Sequence, residues 1–309
     1  MRVEILAMFC WLLRTRAWTT RATVGKRGML SYCSPTTAFS SSVVVPSGLI
    51  AVYKPQNWTS SDVVGKVKYE LQRGALSRAG GRKCRIKVGH GGTLDPLAEG
   101  VLVLGIGEGT KMMGEYLSGS KEYLGTGLLG AETDTLDSEG VVTESVDSSH
   151  VTRELLESAL GSFRGDIMQM PPMYSALKKD GKKLYELARA GIEVERESRP
   201  VSIYHLELVS RSPLLGDAPL ALPTFGLSVK CSGGTYIRTL IADIARKCEA
   251  RAHMTSLLRS QQGPFVLSDC LHEDAWTFDR IVEALAATAH KTPGLQNTKN
   301  AVIFPDIKR

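Results

Sequence analysis

Lys87-Val-Gly-His90-Gly-Gly-Thr-Leu-Asp95-Pro-Leu-Ala-Glu-Gly100-Val-Leu-Val-Leu104 joins a glycine-rich turn to an apolar run and sets one carboxylate between them. Gly91 and Gly92 let the backbone approach a neighbour closely. Pro96 biases Asp95 towards an extended conformation. Val101 to Ile106 reads as a strand of the buried type. An acid in such a place either caps a turn or is poised for chemistry, and the physics of these residues alone favours the cap.

On the N-terminal side, Gly48 to Tyr53 is a short apolar run that Lys54-Pro55 ends, so it predicts a strand entering a turn. Ser60 and Ser61 are expected to cap a helix with Val63, Val64, Val67 and Leu71 on one face. Residues 74–85 read as a loop. On the C-terminal side, short helices are expected over Thr110–Leu117, Arg153–Leu160 and Lys183–Arg189, with Gly161 and Gly191 as stops. Two stretches alternate as half-buried strands: 203–209, with Tyr204, Leu206 and Leu208 inward, and 225–231, with Phe225, Leu227, Val229 and Cys231 inward. A helix follows with a stripe of Ile237, Leu240, Ile241, Ile244 and Cys248. The proline-rich stretch 211–223 reads as a surface loop, and Asp274 to Ala286 as one helix. Strands and helices mix without a regular βαβ rhythm, so the fold class is α+β, a central mixed or antiparallel sheet flanked by helices and loops.

Three segments are expected: an N-terminal extension over 1–47, a catalytic domain over 48–268, and a C-terminal helix with a loosely ordered tail over 269–309. The extension is rich in Arg, Ser and Thr, poor in acid, and has the composition of a mitochondrial transit peptide; a mitochondrial or a nuclear and cytosolic location both fit. It also carries most of the net charge of +6: six basic residues against Glu4 leave 32 basic and 31 acidic residues for the rest. Any nucleic-acid surface on the body must therefore come from local clusters. Two stand out, Arg73, Arg78, Arg82, Lys83, Arg85 and Lys87, and Lys178, Lys179, Lys182 and Lys183. No apolar run approaches the ~20 residues that span a bilayer, so no membrane partner is expected.

Other sequence features carry no chemistry. The six cysteines, at 10, 33, 84, 231, 248 and 270, form no CxxC pair and match no standard zinc spacing, so reduced thiols and no metal are expected. Gly105-Ile-Gly-Glu-Gly109-Thr-Lys111 lacks the spacing of a phosphate loop and reads as a strand-to-helix turn that leaves Lys111 free for phosphate or solvent. Asp134, Asp137, Glu139 and Gly140 lack the order of a cation loop and read as a polar loop.

The segment from Lys87 to Leu104 resembles the catalytic motif of TruB-type pseudouridine synthases. The similarity continues in family order through Lys54-Pro55, Gly107-Glu-Gly-Thr-Lys111, Lys121-Glu-Tyr123, Thr133-Asp-Thr-Leu-Asp137 and Phe163-Arg-Gly-Asp166. It runs on through Pro171-Pro-Met-Tyr174-Ser-Ala-Leu-Lys178, Gly181-Lys-Lys-Leu-Tyr185, Arg199-Pro200, Gly234-Thr-Tyr236-Ile-Arg238 and Leu257-Leu-Arg259, so that it covers residues 48 to 268.

The resemblance, not the composition, implies that Asp95 is a nucleophile. It implies isomerisation of uridine to pseudouridine in RNA, with no cofactor and no metal. The same resemblance makes Tyr123 the residue that stacks on uracil and a candidate base for its C5 proton, and Arg238 the partner of Asp95. His90, Tyr236, Leu257, Lys54 and Lys111 become candidate substrate contacts. The implied substrate is the T-loop uridine of tRNA, with mRNA sites as a further target, and no obligate protein partner is evident. Such a base must leave its stack to be reached. The spelling of the motif, Gln262-Gly-Pro-Phe265, and the ~40 residues after it, too few for a PUA domain, resemble the eukaryotic subgroup that lacks that domain. Two competing readings remain: a catalytically silent RNA-binding or RNA-chaperone protein, and a glycosidase, for which Glu99 is the nearest second acid.

Overall fold

The first predicted strand forms as β1 (Gly48–Lys54) and pairs antiparallel along its length with β3 (Glu99–Ile106). Both strands are buried on both faces, which is why each reads as a continuous apolar run. Ile50, Val52, Leu102, Leu104 and Ile106 face the core beneath two helices. Leu49, Ala51, Val101 and Val103 face a second core with Phe265. The structure is a computed structural model and describes residues 45–79, 85–216, 219–291 and 301–302, all within one unit, Ser41–Arg309. Residues 1–44, and with them the transit-peptide expectation, lie outside the described residues, as do Arg82, Lys83 and most of the C-terminal tail.

Helix α1 (Ser60–Arg78) begins one residue earlier than expected. Thr59 is its N-cap and forms a reciprocal capping box with Asp62. Ser60 is turned inward and buried instead. The helix also runs through residues 74–78, which read as a loop. Tertiary packing overrides the local signal there: Gly74 lies so close to Phe278 that a Cβ would collide with it. Arg78 pairs with Asp279 at 2.6 Å. Both partners belong to α6 (Phe278–Ala287), which packs on α1 through Ile281 and Leu285. That helix was expected from Asp274; a 3₁₀ turn, Glu273–Ala275, precedes it.

Ten strands form one sheet. Besides β1 and β3 these include β2 (Val88–His90), β4 (Lys121–Leu129), β5 (Gly165–Gln169), β6 (Arg199–Val209), β7 (Thr224–Cys231), β8 (Ala252–Gln262) and β9 (Cys270–Leu271). The order is β9-β1-β3-β8-β4-β7-β6-β5, with β2 on β3 and Phe265–Val266 on β8. Neighbours are parallel at β9/β1 and β3/β8 and antiparallel elsewhere, so the sheet is mixed, as expected.

The half of the sheet around β4, β7 and β6 is covered by α3 (Arg153–Leu160) and α5 (Ile237–Lys247). The expected stripe on α5 and the expected face of β7 are both buried. Tyr204 is not: it is 60% exposed. A bulge between Ile203 and His205 breaks the alternation, so that Ile203 turns inward in place of Tyr204 while Leu206 stays inward as expected. The single helix expected over 110–117 is a 3₁₀ turn, Gly107–Met112, followed by α2 (Met113–Ser118). Its glycines serve packing, since a Cβ on Gly109 would strike the Gly48 carbonyl. The expected helix at 183–189 forms as α4 (Leu184–Arg189). Among the described residues no helix is long and apolar enough to cross a membrane.

Candidate active site

Between His90, where β2 ends, and Glu99, where β3 begins, the chain makes a tight excursion that carries Asp95. Glycine is required twice here. A Cβ on Gly91 would collide with the Tyr116 Cβ, and Gly100, at φ +104°, lies against the Arg259 carbonyl. The loop backbone is tied down from several elements. Gly91 N–H donates to the Val103 carbonyl at 3.0 Å. The buried Ser60 hydroxyl accepts from Leu94 N–H at 2.8 Å. The Pro96 carbonyl accepts from Asn57 N–H at 2.8 Å and from Lys54 Nζ at 3.3 Å. The turn after Asp95 is closed by backbone, Ala98 N–H to the Asp95 carbonyl at 3.1 Å. The Asp95 side chain is thus not the cap that local physics favoured.

That side chain meets Arg238 instead, 143 residues away on the first turn of α5. Arg238 Nε donates to Asp95 Oδ2 at 2.8 Å. Its other nitrogens donate to the Thr135 carbonyl at 2.6 Å and the Tyr174 carbonyl at 2.9 Å. A second carboxylate, Asp137 Oδ2, lies 3.7 Å from Nε. The Arg238 side chain is 4% exposed and the Asp95 side chain 33%. A buried cation is thus fixed by backbone on two sides and presents its third to a carboxylate that solvent can reach. Asp95 Oδ1 has no hydrogen-bond partner among the described residues.

Residues 80–237 match the TruB family pseudouridylate synthase N-terminal domain. The chain is 45% identical over 258 residues to pseudouridylate synthase TRUB1 of Mus musculus, covering 80% of this chain and 72% of that protein. It is 42% identical over 240 residues to tRNA pseudouridine synthase B of Syntrophomonas wolfei, covering 76% and 72%. It belongs to the TruB family of pseudouridylate synthases. Its fold is also similar to a chain in the crystal structure of a Cbf5–Nop10–Gar1 complex, with a TM-score of 0.54 and 25% identity, over 81% of this chain but only 57% of that one.

The other residues expected from the TruB resemblance fall into two groups. Tyr123 and Leu257 lie in one core cluster with Leu94 of the Asp95 loop. Tyr123 lies in the middle of the sheet, between Arg259 on β8 and Val229 on β7. Burial raises its phenol pKa, against the Arg259 cation, so the ring is a neutral phenol. Tyr236 is the N-cap residue of α5. Buried Gln169 brackets its backbone, accepting from Tyr236 N–H at 2.8 Å and donating to its carbonyl at 3.0 Å. This clamp sets where α5 starts and so where Arg238 points. His90 Nδ1 accepts from Gly92 N–H at 3.4 Å, which leaves the proton on Nε2. Burial first, and then Arg259, lower its pKa, so the TruB chain carries a neutral imidazole at pH 7.

Of the two lysines expected at the substrate, Lys111 stands away from the Asp95 loop and Lys54 is buried against it. Lys111 is exposed, paired with Glu108, and follows the far end of β3, roughly 20 Å along the strand from the Asp95 end. Lys54 is fully buried, and its ammonium donates to the carbonyls of Trp58 at 2.6 Å, Pro55 at 2.8 Å and Pro96. It therefore ties the turn after β1 to the Asp95 loop. Burial pushes Lys54 down to about 8, against the pull of Asp95 and Glu99. From that value to about 10.5 the unfolded chain binds more protons, so stability rises with pH through this window. Lys121, also pushed down to about 8 by burial, shares it. Comparison of wild type with Lys54→Met isolates one group. Their difference in unfolding free energy is expected to widen by up to ~3 kcal/mol between pH 8 and 10.5. Denaturant titrations at each pH measure this, and a constant difference would assign the effect to other groups.

Several site residues escaped the sequence reading. Asp137 lies in a loop that reads from sequence as merely polar, although Thr133-Asp-Thr-Leu-Asp137 is among the family motifs. Its Oδ1 accepts from the Thr135 hydroxyl at 2.6 Å and from Glu139 N–H at 3.1 Å. Arg259 and Gln262 are also buried at the loop, and the signal for them was their place in Leu257-Leu-Arg259 and Gln262-Gly-Pro-Phe265. The lysines at 178–183 form an exposed hairpin, Lys178–Lys179 against Lys182–Lys183.

Proposed function

We propose that this TruB-family chain isomerises uridine to pseudouridine in tRNA, at the T-loop, with Asp95 as the nucleophile. The observation that carries the reading is one solvent-reachable carboxylate on a tied-down loop, held through a single oxygen by a buried arginine. Arg238 holds one carboxylate oxygen, and the other remains free for the substrate. The reaction breaks the bond from uracil N1 to ribose C1′, turns the base, and joins C5 to C1′. N1 gains a proton and C5 loses one, so no outside reactant is consumed.

Tyr123 provides an aromatic face for the uracil, and its neutral phenol suits stacking. To take the C5 proton, Tyr123 must first release its phenolic proton, which balances the one that N1 gains; the phenolate stands beside Arg259, and the C5 proton restores the phenol. The flipped base requires a single-stranded loop, and recognition by shape extends the proposal to mRNA loops that mimic the T-loop. The lysine hairpin at 178–183 supplies phosphate contacts without sequence choice.

The test is pseudouridine mapping across total RNA in cells with and without the gene. The T-loop site of tRNA is expected to lose its pseudouridine when the gene is absent. A map unchanged at every site would refute the proposal. Sites confined to organellar RNA would place the chain in the mitochondrion, which is the location that residues 1–47 suggest, and sites in nuclear-encoded transcripts would place it outside.

A further inference from the structure

One edge of β3 changes partner along its length. Glu99 and Gly100 pair in parallel with Leu258 and Arg259 of β8. Leu104 to Ile106 pair antiparallel with His90 to Val88 of β2. Continuing that register sets Gly91 directly opposite Val103. Gly91 N–H does donate to the Val103 carbonyl, at 3.0 Å. An antiparallel pair of this kind normally exchanges both bonds. The second bond is not direct. Val103 N–H donates to Gln262 Oε1 at 3.1 Å, and Gln262 Nε2 donates to the Gly91 carbonyl at 2.7 Å. The side-chain amide is inserted into the rung. Gln262 has no exposed surface, and its Nε2 also reaches the Tyr116 carbonyl at 3.4 Å.

Arg259 acts beside it at the same seam. Its Nε donates to the Val101 carbonyl at 2.6 Å and a terminal nitrogen to the Gly92 carbonyl at 3.2 Å. Where β8 has left β3 and β2 has not yet joined, two side chains of β8 thus serve the buried backbone groups that the ladder omits.

We propose that Gln262 is a positioning residue: its amide wedge holds β2 and β3 apart at Gly91 and sets the direction in which the chain leaves the sheet towards Asp95. An apolar side chain of similar size removes the wedge. The Gly91 carbonyl and Val103 N–H then bond directly, β2 closes one rung further, and the Asp95 loop turns with it. The fold loses little, because both backbone groups stay paired, but the carboxylate is mis-aimed. The proposal rests on Asp95 being the reacting group.

The test uses the full chain with Gln262→Met and a T-loop stem–loop RNA. Single-turnover conversion at saturating RNA is expected to fall about tenfold to a hundredfold, the scale on which a 1 Å misplacement acts. RNA affinity and melting temperature are expected to stay close to wild type. A core variant away from the site, Leu156→Ala on α3, is the control, expected to lose stability and keep its rate. Full rate in Gln262→Met, or a loss no greater than that of the control at equal stability, overturns the proposal. If Gln262→Met does not fold, Gln262→Asn keeps the amide but shortens its reach, and wild-type rate in that variant overturns the proposal as well. Amide exchange at Gly92 and Leu94 reads the same change without turnover and is expected to quicken; exchange identical to wild type also overturns it. Equal activity of wild type and Asp95→Asn would instead remove the nucleophile assignment, which keeps the two failures apart.

Discussion

Asp95→Asn is expected to abolish pseudouridine formation on a T-loop stem–loop, by at least about 10⁴-fold, the scale on which loss of a nucleophile acts. The substitution keeps the shape of the side chain, and the amide oxygen still accepts from Arg238 Nε. The loop is held by Gly91, Leu94 and Pro96 through groups the change does not touch. RNA affinity is therefore expected to stay within about twofold, since phosphate contacts supply most of it. Quantitative pseudouridine detection after single-turnover incubation measures the first outcome and filter binding the second. Undiminished modification by this variant would sink the assignment of Asp95.

Arg238→Ala has the second largest expected effect, and it falls on both stability and turnover. The substitution strands the buried Asp137 carboxylate, leaves Asp95 without its counter-charge, and unpairs the carbonyls of Thr135 and Tyr174. Breaking a buried pair by removing one partner costs ~3–5 kcal/mol. The one-third exposure of Asp95 brings the figure here nearer ~3 kcal/mol. Turnover at saturating RNA is expected to fall by more than binding does. Arg238→Lys separates charge from geometry: a lysine restores the cation but cannot donate to three sides at fixed angles. It is expected to recover part of the stability and little of the rate. Unfolding curves and single-turnover rates, at a temperature where all three proteins are folded, check both parts. A defect confined to RNA binding would contradict the pairing role.

The legible parts of the site were those written in consecutive residues. The glycines at 91 and 92 announced a close backbone approach, and each lies against a neighbour in the fold. Asp95 stood out as a lone acid before a buried strand, yet its local surroundings favoured a cap. The reason was the missing partner: Arg238 lies 143 residues away, and only the family resemblance tied the two together. Asp137 is hidden on the same ground, because its sequence neighbours do not mark it as one of two carboxylates around a buried guanidinium. Lys54 and Lys111 show the converse. A family motif brought both to notice, but a lysine can bury its ammonium against carbonyls or project it into solvent, and sequence does not distinguish these fates.

By itself the sequence determined the local elements: the buried runs of β1 and β3, the alternating face of β7, the stripe of α5, and the tight turn that carries Asp95. These follow from side-chain periods of two and 3.6 residues and from glycine's conformational range, which act between neighbours in the chain. Tertiary structure decided the rest. The bulge at Tyr204, the extension of α1 past Gly74, the three-sided grip on Arg238 and the Gln262 amide in the last rung of β2 all depend on which distant strands and helices come to lie side by side. The order of the sheet makes those choices, because it places β8 against β3, more than 150 residues earlier in the chain, and leaves between them a gap that only side chains fill.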